Sequence, residues 1–339
     1  MTTGPASDDD AALVARVRAG DRRALARALS RIEDGEPARV RGLVSGLHPH
    51  SGHAHVVGVT GAPGVGKSSL TAALATWWRG EGRTVAVLAV DPTSPFTGGA
   101  LLGDRVRLER HAMDRGVYVR SMASRGHLGG LSAAAPHGLV ALDAAGFDVV
   151  VVETVGVGQA EVEVAAVADA TVVALAPGLG DAVQAAKAGV LEVADVLVVN
   201  KADRPGAERA LAEVRDSQEL AVGAAARDGQ ALPEGVDDWI APVLATVATD
   251  VGPASGVPDL GRTLAQHRDW LARSGLSARR ARARAELWLR ALAEAGLRAR
   301  LDALGQGSLL HDLATRVADR RLDPFAAADR LLAALEESD

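Results

Sequence analysis

The stretch Val56-Val57-Gly58-Val59-Thr60-Gly61-Ala62-Pro63-Gly64-Val65-Gly66-Lys67-Ser68-Ser69 decides the fold. From Gly61 to Ser68 it fits G-x-x-x-x-G-K-[ST] at every fixed position. A short apolar run precedes it and an Ala/Leu-rich stretch begins at Ser69, which is the strand–loop–helix context a phosphate-binding loop requires. Gly61, Gly64 and Gly66 let backbone N–H groups turn inward around a phosphate without Cβ clashes. A helix starting near Lys67 points its positive end at the anion. Lys67 is expected to neutralise the β- and γ-phosphates and Ser68 to place a hydroxyl on Mg²⁺, with Ala62, Pro63, Val65 and Ser69 completing the cradle. A chance glycine-rich turn would carry none of this flanking pattern.

Outward from that loop, strand-like and helix-like segments alternate. Apolar runs lie at 56–60, 84–90, 117–121, 147–152, 170–176 and 195–200, with a further candidate at 243–247. Most are Val-rich and nearly continuous, as expected for strands buried on both faces. Ala/Leu segments at 69–79, 159–168 and 206–220 suit crossover helices. The expectation is an α/β fold, a P-loop NTPase with a mainly parallel central sheet, flanked by N- and C-terminal helical extensions. We divide the chain into an N-terminal helical segment (1–54), a nucleotide domain (55–265) and a C-terminal helical segment (266–339). In the first, Leu13, Val14 and Val17 form one apolar face and Leu25, Ala28, Leu29 and Ile32 another, with Gly20-Asp21 between two helices. In the last, Leu287, Trp288, Ala291, Leu292 and Ala295 form a stripe at helical spacing, and Leu309, Leu310, Leu313 and Val317 a second. Arg279, Arg280, Arg282 and Arg284 precede the first stripe and read as a solvated or intersubunit face.

Composition narrows the function. Hydrophobic residues make up 48% of the 339 residues, enough for a large core, but aromatics only 3%, so packing rests on Ala, Val and Leu. A net charge of −6 argues against a general nucleic-acid binder. The absence of cysteine removes disulfides, thiolate metal sites and cysteine nucleophiles together. The start, with Asp8-Asp9-Asp10, is not a signal peptide, and no run approaches the ~18 apolar residues of a membrane span. A soluble, cytoplasmic protein is expected. The tract His48-Pro49-His50-Ser51-Gly52-His53-Ala54-His55 holds four of the nine histidines. It reads as a linker into the first strand, with His53 and His55 alternating toward one face, because no cysteine or nearby carboxylate completes a coordination set.

Asn200-Lys201-Ala202-Asp203 follows the run Val196-Leu197-Val198-Val199, at a strand's C-terminal end, where ligands bind in open α/β sheets. Asn-Lys-x-Asp reads guanine in GTPases. The Asp203 carboxylate can accept from N1–H and the exocyclic amine, a donor pair that adenine lacks. The Lys201 stem would cover the base and Asn200 would tie this loop to the phosphate loop. Glu153-Thr154-Val155-Gly156 follows another Val run and places an acid where it can hold Mg²⁺ or its water. Asp91, in Asp91-Pro92-Thr93-Ser94, offers a second carboxylate at the end of 84–90; Asp104 lies farther on, and nearby Arg107 is a candidate for stabilising transition-state charge.

Together these residues resemble the MeaB/ArgK family of P-loop GTPases, over nearly the whole chain. The resemblance runs through 17–25, the phosphate loop, Asp91-Pro92-Thr93-Ser94, Gly103-Asp104 and Arg125-Gly126-His127-Leu128-Gly129-Gly130. Its most specific part is Glu153-Thr154-Val155-Gly156-Val157-Gly158-Gln159. It implies a homodimeric GTPase, using GTP/GDP and Mg²⁺, that associates with an adenosylcobalamin-dependent mutase, most often methylmalonyl-CoA mutase, gating cofactor loading and protecting the enzyme. It assigns metal-linked roles to Ser68, Asp91, Asp104 and Glu153, and switch roles to Asp181 and Lys187 in the segment from Pro177 that also carries Gln184. Two departures stand out. Gly178-Leu179-Gly180 replaces a triple glycine, and Val247-Ala248 stands where a Ser-Ala base-contact loop is usual, leaving backbone contact only. Two other readings compete: a nickel metallochaperone GTPase of hydrogenase or urease maturation, and an ATP-dependent transport-system kinase.

Overall fold

The computed structural model describes residues 8–34, 36–91, 113–123, 134–154, 160–178, 193–224, 238–305 and 308–337. Seven strands form one sheet: β1 (His55–Thr60), β2 (Val85–Asp91), β3 (Val117–Ala123), β4 (Val149–Thr154), β5 (Ala170–Leu175), β6 (Val196–Asn200) and β7 (Val243–Thr246). Their order is β3-β2-β4-β1-β5-β6-β7 and every pairing is parallel. All seven expected apolar runs are strands, and β4, β5 and β6 are buried at every residue. A parallel sheet hides both faces under crossover helices, so alternation disappears from the sequence.

Residue parity sorts the two faces. Val57, Val59, Val151, Val172 and Val198 point toward α4 (Lys67–Gly80) and α8 (Val257–Ser274), packing on Leu70, Leu74, Leu260 and Leu264. Val173, Leu175, Leu197 and Val199 point the other way, onto Val214 of α7 (Ala207–Ala224). The short α6 (Ala160–Ala165) and α5 (Ala135–Ala144) cover that second face beside β1, β2 and β4. Each fully buried Val or Leu contributes about 1.5–3 kcal/mol relative to exposure, so this two-sided core dominates stability.

Aspartates close the N-terminal edge of the sheet, where strand amides would otherwise lack partners. Asp143 accepts from the amides of Gly52, His53 and Ala54; Asp169 accepts from Val56, Asp148 from Thr84, and Asp195 from Thr171. The histidine tract therefore serves as the entry to β1. His48–His50 form one 3-10 turn, His53 is exposed and His55 is buried, so the expected alternation of His53 and His55 toward one face does not occur. Backbone bonding to Asp143 holds Gly52–Ala54 as an irregular lead-in rather than as strand. No group of three or more metal-ligating side chains gathers among the described residues.

Three helices precede the sheet, one more than expected: α1 (Asp8–Arg18), α2 (Arg22–Asp34) and α3 (Pro37–Leu47). Asp21 caps α2 by accepting from the amides of Arg23 and Ala24. Leu25, Ala28, Leu29 and Ile32 are buried, and α2 and α3 pack on α5. Arg22 donates to the carbonyls of Arg115 and Val117, and Arg120 pairs with Glu33 at 2.8 Å, fastening α2 to β3. The chain divides into two units, Met1–Ala278 and Arg279–Asp339. The second carries most of α9 (Leu276–Gly305), then α10 (Ser308–Ala318) and α11 (Pro324–Glu337). There Leu313 and Ala327 are buried, while Leu287, Leu292, Leu297 and Phe325 are exposed.

Candidate functional site

β1 runs into the phosphate loop and α4 leaves it, with Gly66 as the residue before the helix. Two glycines are indispensable here. Gly61 has φ +138°, and a Cβ on it would sit 2.1 Å from the Ala174 carbonyl oxygen of β5. Gly66 has φ +97°, and a Cβ there would meet Asn200 Nδ2 at 2.5 Å. Both conditions exclude side chains, one by backbone crowding and one by the base-reading loop. No side chain caps α4, so its first amides face the loop and suit an anion.

Lys67 is buried and donates from Nζ to the carbonyls of Gly61 (2.7 Å) and Ala62 (3.1 Å). Its ammonium thus lies across the loop it is expected to serve. Ser68 Oγ donates to Glu153 Oε1 at 2.5 Å, and both residues are buried. Val59 pairs with Glu153 in register, so the carboxylate sits on the strand beside β1 and reaches α4. A hydroxyl and a carboxylate this close, under a phosphate loop, are hard oxygen donors of the kind Mg²⁺ takes, and the pair fits that ion. Asp91 ends β2, one residue beyond the Val90–Thr154 pair, on the same C-terminal edge. Asp104, Arg107, Gln159, Asp181, Gln184 and Lys187 lie outside the described residues.

The base-reading loop is built from three hydrogen bonds to one side chain. Asn200 Nδ2 donates to the Val65 carbonyl at 2.9 Å, the tie to the phosphate loop expected from sequence. Its Oδ1 accepts from Thr246 Oγ1 (3.1 Å) and from the Ala248 amide (3.2 Å). The sequence reading missed Thr246; its only signal is a buried hydroxyl ending β7 directly before Val247-Ala248. Lys201 takes φ +59°, a left-handed conformation uncommon for a side-chain-bearing residue, and its Nζ donates to the Gly64 carbonyl. The Ala202 amide donates to the Thr246 carbonyl, and Asp203 stands exposed beyond it. Val247 and Ala248 offer backbone only: the Val247 amide is bonded to the Ser255 carbonyl, which holds the loop beside Asn200. Residues 61–69, 153, 200–203 and 246–248 therefore converge at one end of the sheet.

A phosphate loop leaving the central strand, a carboxylate on the adjacent strand and an Asn-Lys-x-Asp loop two strands away define a P-loop GTPase. Within that class, the chain belongs to the methylmalonyl-CoA mutase-associated GTPase family MeaB, whose model matches residues 25–305. A relative from Pyrococcus abyssi is 42% identical over 320 residues, covering 94% of this chain and 95% of its own. A probable GTPase of Mycobacterium tuberculosis is 42% identical over 276 residues, 79% of this chain and 78% of its own. Among solved structures, a LAO/AO transport system kinase superposes with a TM-score of 0.67 at 26% identity, over 97% of this chain and 98% of that one. The chain is accordingly a GTP hydrolase of the P-loop class.

Proposed function

We propose that this GTPase acts on an adenosylcobalamin-dependent acyl-CoA mutase of the methylmalonyl-CoA type, gating cofactor loading and protecting the mutase. The Asn200 loop is joined to the phosphate loop through hydrogen bonds to Val65 and Gly64, which supports the guanine-nucleotide half of this reading. The family's description, which names mutase association, supports the partner.

In the hydrolytic step, water attacks the γ-phosphorus in line and the β-phosphate leaves. Lys67 would exchange its carbonyl partners for phosphate oxygens, and the uncapped amides of α4 would face the same charge. Ser68, Glu153 and, by its place on β2, Asp91 would hold Mg²⁺, with Asp104 joining by resemblance. Such an ion would supply further compensation for the charge that develops on the phosphates. Asp203 would accept from guanine while Lys201 covers the ring. We assign no general base; Arg107 stays a candidate for stabilising transition-state charge, and Asp181 and Lys187 take switch roles on the strength of the resemblance. A site that relies on a partner to order it has a slow intrinsic rate. Single-turnover GTP hydrolysis, measured with and without the mutase, should show acceleration of at least about tenfold, or ~1.4 kcal/mol of barrier. Equal rates would contradict the partnership.

The exposed leucines of α9 and Phe325 of α11 support a homodimer built on the C-terminal segment. A cytoplasmic location fits a chain with no helix among the described residues long and apolar enough to cross a membrane. The kinase name belongs to the structural neighbour. An ATP-driven reading would leave Asp203 without a donor pair to bind.

A further inference from the structure

At the site end of the sheet, β1 and β4 begin to separate. Their parallel register runs from the His55–Val149 pair to the Val59–Glu153 pair and stops there. One step beyond, Thr60 registers with Val173 of β5 and Thr154 with Val90 of β2, each on the far side from the other. What joins Thr60 to Thr154 is a side-chain contact, Oγ1 to Oγ1 at 3.4 Å, in which either hydroxyl can donate. Both residues are buried, and neither hydroxyl has a second partner among the described residues. The hydroxyl pair is thus the last link between the two strands before the phosphate loop leaves one and the chain beyond Thr154 leaves the other.

Packing does not account for these two hydroxyls. Ahead of them the strands are almost all valine: Val56, Val57 and Val59 in β1, and every residue of 149–152 in β4. Valine has the branched shape of threonine without the hydroxyl, and exchanging both members of a buried polar pair for apolar groups of the same shape is nearly neutral or stabilising. Their place in the chain is more telling. Thr60 precedes Gly61, whose carbonyl accepts from Lys67, and Thr154 follows Glu153, whose carboxylate accepts from Ser68. Val59 and the Glu153 side chain point toward α4, so by strand alternation both hydroxyls lie on the opposite face, behind the Ser68–Glu153 contact.

We propose that Thr60 and Thr154 are positioning residues for GTP hydrolysis: their hydroxyl pair fixes the spacing of β1 and β4 where they part, and so sets Glu153 against Ser68 and the phosphate loop. The inference rests on the Mg²⁺ role proposed above for Ser68 and Glu153. Thr60→Val, Thr154→Val and the double variant test it, by steady-state hydrolysis and by calorimetry of GDP with and without Mg²⁺. Each single variant should lower kcat about tenfold with KM within about twofold, since misplacement of a reacting geometry acts on the chemical step. The double variant should be no slower than either single, because the second change removes nothing further. The gain in GDP affinity on adding Mg²⁺ should shrink several-fold, while affinity without Mg²⁺ holds. Thr154→Ser keeps the hydroxyl and should restore both kcat and the Mg²⁺ gain. Unfolding midpoints of the Val variants should match or exceed wild type. Wild-type kcat in both Val variants, multiplied losses in the double variant, or losses that Thr154→Ser does not restore would each overturn the assignment. Glu153→Gln separates the two readings. A Mg²⁺ gain unchanged in Glu153→Gln would overturn the metal role and this proposal with it, whereas a gain lost there but intact in Thr154→Val would overturn the hydroxyl pair alone.

Discussion

Asn200 is the residue on which the base-reading site turns, because one amide side chain joins the phosphate loop, β7 and the Ala248 amide. Thr246→Val removes one of its three bonds and leaves the others. The expected cost is about 1 kcal/mol, read as a roughly fivefold rise in the Kd for GDP with little change in kcat. Asp203→Asn acts on recognition itself. It should lower kcat/KM for GTP by on the order of 10²-fold or more and raise that for xanthosine triphosphate, since an unpaired buried donor or acceptor is penalised heavily. Undiminished GTP turnover in that variant would remove Asp203 from the base site. His55 makes a separate, pH-dependent contribution to stability. Burial holds its ring near 4 in the fold, with Asp169 and Asp195 opposing that shift and Arg268 and His267 reinforcing it, against about 6.5 when unfolded. The unfolded chain binds the extra proton between those values, so the His55 share of stability is complete above pH 6.5 and is lost as pH falls toward 4. Urea midpoints should drop across that window, by at most about 1.4 kcal/mol per pH unit from this group, and His55→Phe should flatten the slope.

At the scale of elements, α4 and α8 pack closely on one face of the sheet, and the contact is tight at the end of α4 away from the phosphate loop. A Cβ on Gly261 of α8 would lie 2.2 Å from the Trp77 ring of α4. Gly261→Ala should therefore force the helices apart and cost about 1–3 kcal/mol in equilibrium unfolding, although it touches no nucleotide-binding residue. An unchanged unfolding midpoint would mean that Trp77 swings aside freely. Elements of this kind differ in how plainly their sequences announce them. The strands were legible because Val runs buried on both faces have no other common explanation, and the phosphate loop because its spacing and flanks agree. The helix Pro37–Leu47 was not legible. Gly42 and Gly46 interrupt its apolar period, Glu36 supplies no side-chain cap, and only Leu43 and Leu47 are buried. Asn200 was readable as a tether because its motif fixes its role. Thr246 was not, since a lone hydroxyl at a strand end has no periodicity and gains meaning only from the strand placed beside it. The Ser68–Glu153 contact lay between the two: each residue was marked by its motif, but their 2.5 Å approach depends on the β1–β4 register.

At the scale of the whole molecule, the unit Arg279–Asp339 leaves large apolar side chains in water, with Leu289 66% and Phe325 82% exposed. A soluble monomer rarely keeps so many on a few helices. Light scattering should give twice the 34.8 kDa chain mass, and charged substitution of Leu289 and Phe325 together should return the monomer while GTP binding persists. A monomeric wild type would refute the dimer without touching the nucleotide site. The central claim is that the loops at the C-terminal edge of the sheet form one guanine-reading pocket tied to the phosphate loop. Titration calorimetry of the purified chain with GDP and with ADP, each with magnesium, tests it directly. The account predicts at least about a hundredfold tighter binding of GDP, a difference of ~2.7 kcal/mol. Equal affinities for the two nucleotides would contradict it.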